Sequence, residues 1–412
     1  MGNIVRSLEN VEVNGNSVVG FPDVYFDAFG RLRTSNTAQR LDVEFIYDKQ
    51  PEIVDEVTVS GGTVTHNANS RDLTLAINNT TTATEASMFS YDVPYTAGNS
   101  QLIALTGTIN EANIAGGVAQ IFVRSKVSGS VVETVTDQTS WNKDTVSDAD
   151  WTNSQIFEID FQSLKVGRIR FYLNRSGVAV PVHEIINDNI RPEAYWQLPH
   201  LPLTWRIYND ATYTYCEIGY GDADNGIGFR YRVAKNAGAE LRAICGTVKS
   251  EGGLDLENLT GYNRVADSDV TAKSVATTLI PLLSIRPRTT FNSLNNRALV
   301  IPQSITISTD NPIKIVVVHN NTLTSASWSD VDTNESVIEF DTAATAFSGG
   351  HNLLSDYVSS DKNKSLSTKT LLGRSLLWNR RGTESGILTI AAIRTGTTTA
   401  NVLTSINWKE IR

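Results

Sequence analysis

The sequence predicts an all-β protein, built as tandem β-sandwich or jelly-roll-like units with an extended N-terminal arm. Three observations predict it. Apolar and polar residues alternate with a period of two in many short runs rich in β-branched and aromatic residues, as strands half-buried against a core do. Clusters of Gly, Asn, Asp and Ser separate those runs. Apolar spacing of three and four residues, which marks an amphipathic helix, is scarce.

Taken in order, residues 1–56 read as an arm and anchoring segment: a compact motif rich in Phe and Arg, then a strand-like stretch at 41–47. Residues 57–208 carry runs at 73–77, 102–109, 119–123 and 205–208, dense enough for a first β-sandwich domain, which closes at the proline-punctuated stretch 198–202. Its clearest hairpin puts Phe157, Ile159 and Phe161 on one face and Glu158 and Asp160 on the other. After a short polar turn, Ile169, Phe171 and Leu173 point inward, with Arg168 and Arg170 outward. Residues 209–283 read as a loop-rich connecting β region, because glycines at 219–228 and 252–253 interrupt it. Residues 284–412 form a C-terminal β domain with runs at 299–307, 313–319 and 387–393, and short helical turns are expected at 292–296 and 349–354. A length of 412 residues exceeds what one core ordinarily organises, which agrees with more than one domain.

Composition then narrows the partners. Hydrophobic residues at 40% against 19% charged place the chain among folded proteins. With 35 Lys and Arg against 44 Asp and Glu, the formal charge of -9 repels phosphate backbones and anionic lipid, so neither nucleic acid nor a membrane is expected as partner. The acids are scattered singly, as on a solvated surface. Met1 to Arg6 show no apolar leader core, and Arg6 stands where a myristoylation motif needs Ser or Thr. The most hydrophobic runs, such as 313–318, are far shorter than the roughly 20 residues that cross a bilayer. Cys216 and Cys245 form neither a disulfide framework nor a CxxC site and read as small apolar side chains, with a single bridge between them as the other reading.

Catalytic motifs are wanting. His66, His183, His200, His319 and His351 lack metal-ligand spacing. His183 and Glu184 could act as base and acid, but neighbours on a strand face opposite ways. Asp222-Ala223-Asp224-Asn225-Gly226 resembles the opening of a calcium loop, yet Gly226 occupies a ligand position and no acid closes the loop, so an Asn-Gly turn is the better reading. Phosphate-binding glycine loops and the GxSxG elbow are absent, so no cofactor and no enzymatic activity are expected. Trp141, Trp151, Tyr195, Trp196 and Trp205 offer either sugar-stacking faces or core filling, and the second is the commoner use of such rings in a sandwich.

The sharpest motif is Asp27-Ala28-Phe29-Gly30-Arg31-Leu32-Arg33-Thr34-Ser35, preceded by Tyr25 and Phe26. It resembles the N-terminal signature of a family of tailed-bacteriophage virion structural proteins, in which an FDAFGRLR stretch opens the chain. There an aromatic run ending in Asp-x-Gln follows, as here at residues 41–50 with Asp48-Lys49-Gln50. Residues 157–171, the Leu201-Pro202 step, residues 244–253 and Trp378 to Thr383 resemble later landmarks of the family. Thr37 departs from it where Pro is expected after Asn36, and the Trp-rich middle is this chain's own. The resemblance implies a component of the capsid, tail or baseplate in the virion, made in the host cytoplasm, with other virion proteins as partners.

The motif also has a reading of its own. Phe26 and Phe29 supply apolar area, Gly30 permits a tight turn, and Arg31 and Arg33 point the same way along an extended arm. Guanidinium groups bind carboxylates of acidic neighbours two bonds at a time, so Phe26, Phe29, Arg31, Leu32 and Arg33 are the candidate assembly interface. The other use of Phe26 and Phe29 is to complete the core of their own domain. The expected function is therefore a non-enzymatic, homo-oligomeric virion subunit, with a module that recognises host-surface glycans as the alternative.

Overall fold

The computed structural model describes residues 10–13, 16–19, 37–77, 83–95, 98–127, 130–162, 165–190, 194–196, 200–235, 238–251, 261–268, 270–360, 362–367, 379–380 and 384–412. The chain divides into two compact units, Met1–Leu254 and Asp255–Arg412. Among the described residues every strand pairing is antiparallel, and the helical structure is a single 3-10 turn at Gln138–Ser140.

The strands of the first unit are β1 (Asn10–Val13), β2 (Asn16–Val19), β3 (Ala38–Glu44), β4 (Val54–Val59), β5 (Thr63–Asn67) and β6 (Asp72–Ile77). There follow β7 (Glu85–Ser90), β8 (Ser100–Thr108), β9 (Val118–Val127), β10 (Ser130–Asp137), β11 (Gln155–Phe161) and β12 (Ile169–Arg175). The last are β13 (Val178–Ile185), β14 (Leu203–Asn209), β15 (Tyr213–Gly221), β16 (Gly226–Ala234) and β17 (Ala239–Glu251). One sheet runs β10-β9-β16-β15-β14-β7-β4, and the other β13-β12-β11-β8-β17-β6-β5 with β3 also on β17. Their inner faces meet in an aromatic core. Phe229 of the first sheet lies 4.9 Å from Phe157 and 5.6 Å from Phe171 of the second, and Trp205 packs edge-on against Phe45 at 5.4 Å. This is a β-sandwich, as the sequence predicts.

The expected hairpin forms as β11 and β12, with Ile159 opposite Phe171 and both fully buried. Asp160, expected at the surface, is buried as well. It holds Arg170, its direct cross-strand partner, at 2.7 Å, which is how a carboxylate is kept charged inside. The domain boundary differs from the sequence reading. The stretch 209–283 is not a connector, because β15 and β16 lie inside the seven-stranded sheet and β17 inside the other. Likewise β3 and Phe45 are core, with Leu41, Val43 and Phe45 at 0% exposure, where an arm was expected.

The second unit is a sandwich of its own. Ala400–Ile411 pairs with Tyr262–Asp267, Lys273–Val275 and Leu299–Thr309, and the last of these also pairs with Lys362–Ser367. The facing sheet centres on Ile280–Pro287, Leu388–Arg394 and Ile313–His319. Ile305, Ile315, Ile390, Ile406 and Trp408 form its core. The two helical turns expected here are absent. Asn292 and Ser293 take left-handed φ of 49° and 64° in a tight hairpin, and after Gly349 and Gly350 (φ 67° and 82°) residues His351–Val358 are a strand.

Candidate functional site

Alternation along β9, β14, β15 and β16 sends Phe229 and its like into the core and the intervening residues to the opposite face of the seven-stranded sheet. The direct cross-strand row on that face is Arg206, Glu217, Arg230, Gln120 and Asp137. Glu217 is its hub. Its carboxylate lies 2.6 Å from Arg230 and 2.8 Å from Arg124, and it accepts from the Tyr208 hydroxyl at 2.9 Å. Arg230 also grips Glu133 with two bonds of 3.0 and 2.6 Å, and Arg206 grips Glu85 with two of 2.9 and 2.8 Å. Aromatic rings lie under the guanidinium groups: Tyr208 is 4.0 Å from Arg206, and Phe122 is 4.8 Å from both Arg124 and Arg230.

Small residues make room for this layer. A Cβ on Gly219 or Gly228, direct partners on β15 and β16, would collide with the opposite strand's backbone, and on Gly228 it would also press on the Phe122 ring at 3.0 Å. Beyond them β15 ends at Gly221 (φ 144°) and the chain turns through Asp222 to Asn225. The Asp222 carboxylate accepts from the backbone N–H of Asp224 and Asn225 at 2.8 Å each. It therefore closes a four-residue turn, where the sequence suggested a two-residue Asn-Gly one. Among the described residues no group of three or more His, Cys, Asp or Glu side chains could hold a metal ion.

The electrostatics make the face self-contained. Burial alone would push the Glu217 carboxyl up, but the charges of Arg124, Arg230 and Arg206 outweigh it and hold the group well below the usual carboxylate range. Burial, then the Glu217 charge, push the Tyr208 phenol well above its ordinary value. Three guanidinium and three carboxylate groups thus neutralise one another, with the side chains of Arg230 and Glu217 each only 3% exposed. Glu217 has no proton to give, and arginines already paired offer an anionic ligand little.

The residues singled out from sequence fall elsewhere. Phe26, Phe29, Arg31, Leu32 and Arg33 lie outside the described residues. Trp141, Trp151, Tyr195, Trp196 and Trp205 are all interior. Trp141 stands edge-on to Trp151 at 6.2 Å and to Phe229 at 6.1 Å, and Trp196 edge-on to Phe161 at 4.9 Å. His183 and Glu184 face apart, as alternation requires: the His183 ring packs near Phe171, while Glu184 meets Lys143 at 2.6 Å and Arg168 at 2.9 Å. Cys216 and Cys245 are free thiols, and burial pushes the Cys216 thiol well up. Sequence reasoning missed the Glu217 network. Its one trace was the alternation of charge with apolar residues at 215–218 and 229–232, which says which face a residue takes but not what it meets there.

The fold and this face define a two-unit β-sandwich protein whose charged sheet face is internally compensated. No known protein family and no curated protein matches the sequence. Among solved structures, an endo-1,3-β-glucanase from Streptomyces sioyaensis is similar over 52% of this chain and 97% of its own, at 9% identity and a TM-score of 0.32. The tandem CBM22 domain of Xyn10C from Paenibacillus barcinonensis covers 90% of this chain and 98% of its own, at 8% identity and a TM-score of 0.22. The carbohydrate recognition domain of Emp46p, in its potassium-bound form, covers 51% and 95%, at 10% identity and a TM-score of 0.19. Likenesses this distant say nothing of this chain's ligand or activity. No helix among the described residues is long and apolar enough to cross a membrane.

Proposed function

We propose that the chain is a non-enzymatic structural subunit of a tailed-bacteriophage virion, carried by its two sandwich units and attached to other virion proteins through Phe26, Phe29, Arg31, Leu32 and Arg33. The resemblance of the FDAFGRLR segment supports the virion context. The observation that favours a building role over glycan recognition is the burial of the large aromatics: Trp141, Trp151 and Trp196 are 5%, 8% and 0% exposed, so no sugar ring can stack on them. The Glu217 face supports the same reading, since its acids are committed to arginines and none is poised to protonate a leaving group.

The test is truncation. A chain lacking residues 1–34 loses the separate β1–β2 pair but keeps β3 to β17 and the second unit, so it should stay folded by circular dichroism yet vanish from gradient-purified particles assembled in its presence. Normal incorporation of that truncated chain would contradict the anchoring role.

A further inference from the structure

Edge strands invite pairing with other chains, and proteins usually guard them with proline, charge, bulges or cover. The edges of the first unit are guarded unequally. In β13, Pro181 removes a donor, and the Val182 carbonyl is already taken by the backbone N–H of Lys143 and Asp144. The opposite edge of the other sheet, β4, carries Asp55 and Glu56, the latter bound to Lys49 at 2.6 Å. By contrast β10 has no proline, no lysine and no bulge along its eight residues, and Val131, Val132 and Val135 are 46%, 50% and 39% exposed.

Its acids do not guard it either. Glu133 is drawn back over its own sheet by Arg124 and Arg230, and Asp137 accepts from Gln120 at 2.6 Å. The charge that would keep two copies of an acidic strand apart is therefore neutralised from within.

From this we infer that β10 is a self-pairing edge: two copies of the chain join β10 to β10 in antiparallel fashion about a two-fold axis, making one continuous sheet. The partner is a second copy because, among the registers that pair at least five residues of β10, one opposes no like charges and meets no carbonyl already engaged. A two-fold axis normal to the sheet must pass through a residue, so that like faces stay on one side. Centred on Glu133, it sets two carboxylates opposite each other. Centred on Thr134, it brings the partner strand against the carbonyl of Thr136, which already accepts from Trp141 Nε1 at 3.2 Å. Centred on Val132, it sets the strand's most exposed valine against its own copy, Val131 against Glu133 and Ser130 against Thr134, with no like charges opposed. The pairing gives the homo-oligomeric part of the proposed assembly a surface, and it is read on the isolated protein whether or not the virion assignment holds.

The experiment is sedimentation of the purified full chain over a concentration series, with oxidative crosslinking. The wild type should dimerise. Val132→Lys, which sets two ammonium groups face to face, should be monomeric with an unchanged circular dichroism spectrum, since the side chain is exposed. Val132→Cys should form a disulfide-linked dimer and Thr134→Cys should not, because four residues of offset separate its copies by roughly 13 Å. A wild type that stays monomeric throughout, a dimer that survives Val132→Lys, or a crosslink at Thr134 in place of Val132 would overturn the inference.

Discussion

Glu217 shows what a single buried charge asks of its neighbours. Glu217→Gln removes the anion that Arg124 and Arg230 share and leaves both short of a partner, so it should destabilise the first unit by roughly 3–5 kcal/mol in denaturant titration. Lys49→Ala, which breaks only the exposed contact with Glu56, should cost less than about 1 kcal/mol in the same assay. Acid should act in two stages. Burial, then the charges of Lys165 and Arg40, push the His200 imidazole down to about 4, so the folded chain prefers it neutral. Between roughly pH 6.5 and 4 the unfolded chain binds the proton that the folded one refuses, and stability falls as pH falls. The loss is on the order of 1–2 kcal/mol, less than the whole shift would give, because solvent still reaches the half-buried ring. Below roughly pH 4.3 the depressed Glu217 carboxyl adds its own loss by the same sign: its stabilisation is complete above the unfolded value and disappears as it protonates. Unfolding midpoints measured from pH 7 to 3 for the wild type and for His200→Asn should separate the two stages.

Strands were legible where alternation was clean. Residues 313–319 are a strand over the length expected, and 157–161 pairs with 169–173 in the hairpin expected, because burial on one face selects residues one at a time and leaves a period of two. Glycine misled where it was read as a loop. Gly219, Gly221, Gly226 and Gly228 sit in paired strands, and two of them thin the sheet so that Phe122 and the arginines can lie across it, a packing role that local sequence cannot distinguish from a turn. Gly228→Ala should therefore cost roughly 1–3 kcal/mol in the denaturation midpoint, although alanine is ordinarily tolerated in a strand. The helical turns expected at 292–296 and 349–354 failed for a related reason: short polar stretches bear no period, and the left-handed residues there turn a hairpin at Asn292 and Ser293 and link two separately paired strands at Gly349 and Gly350.

At the scale of the whole molecule, each unit carries its own two-sheet core, and the division at Leu254 lies 46 residues beyond the boundary expected at 208. The error arose from non-local pairing. β17 joins the first sandwich by bonding to β3, β6 and β8, far upstream in sequence, and nothing near residue 239 announces those partners. The candidate site was less legible than the fold, for the same physical cause: Glu217 is joined to Arg124 and Arg206 only once the strands have paired. What the sequence did offer was the choice between aromatics as core and aromatics as a sugar platform, and burial of Trp141, Trp151 and Trp196 favours the first. The role proposed for this chain is that of a building block of the particle. Imaging intact virions that carry a tagged copy tests it most directly. Label should lie at fixed, repeated positions on the head or tail of every particle, and label confined to fractions without particles would contradict the proposed role.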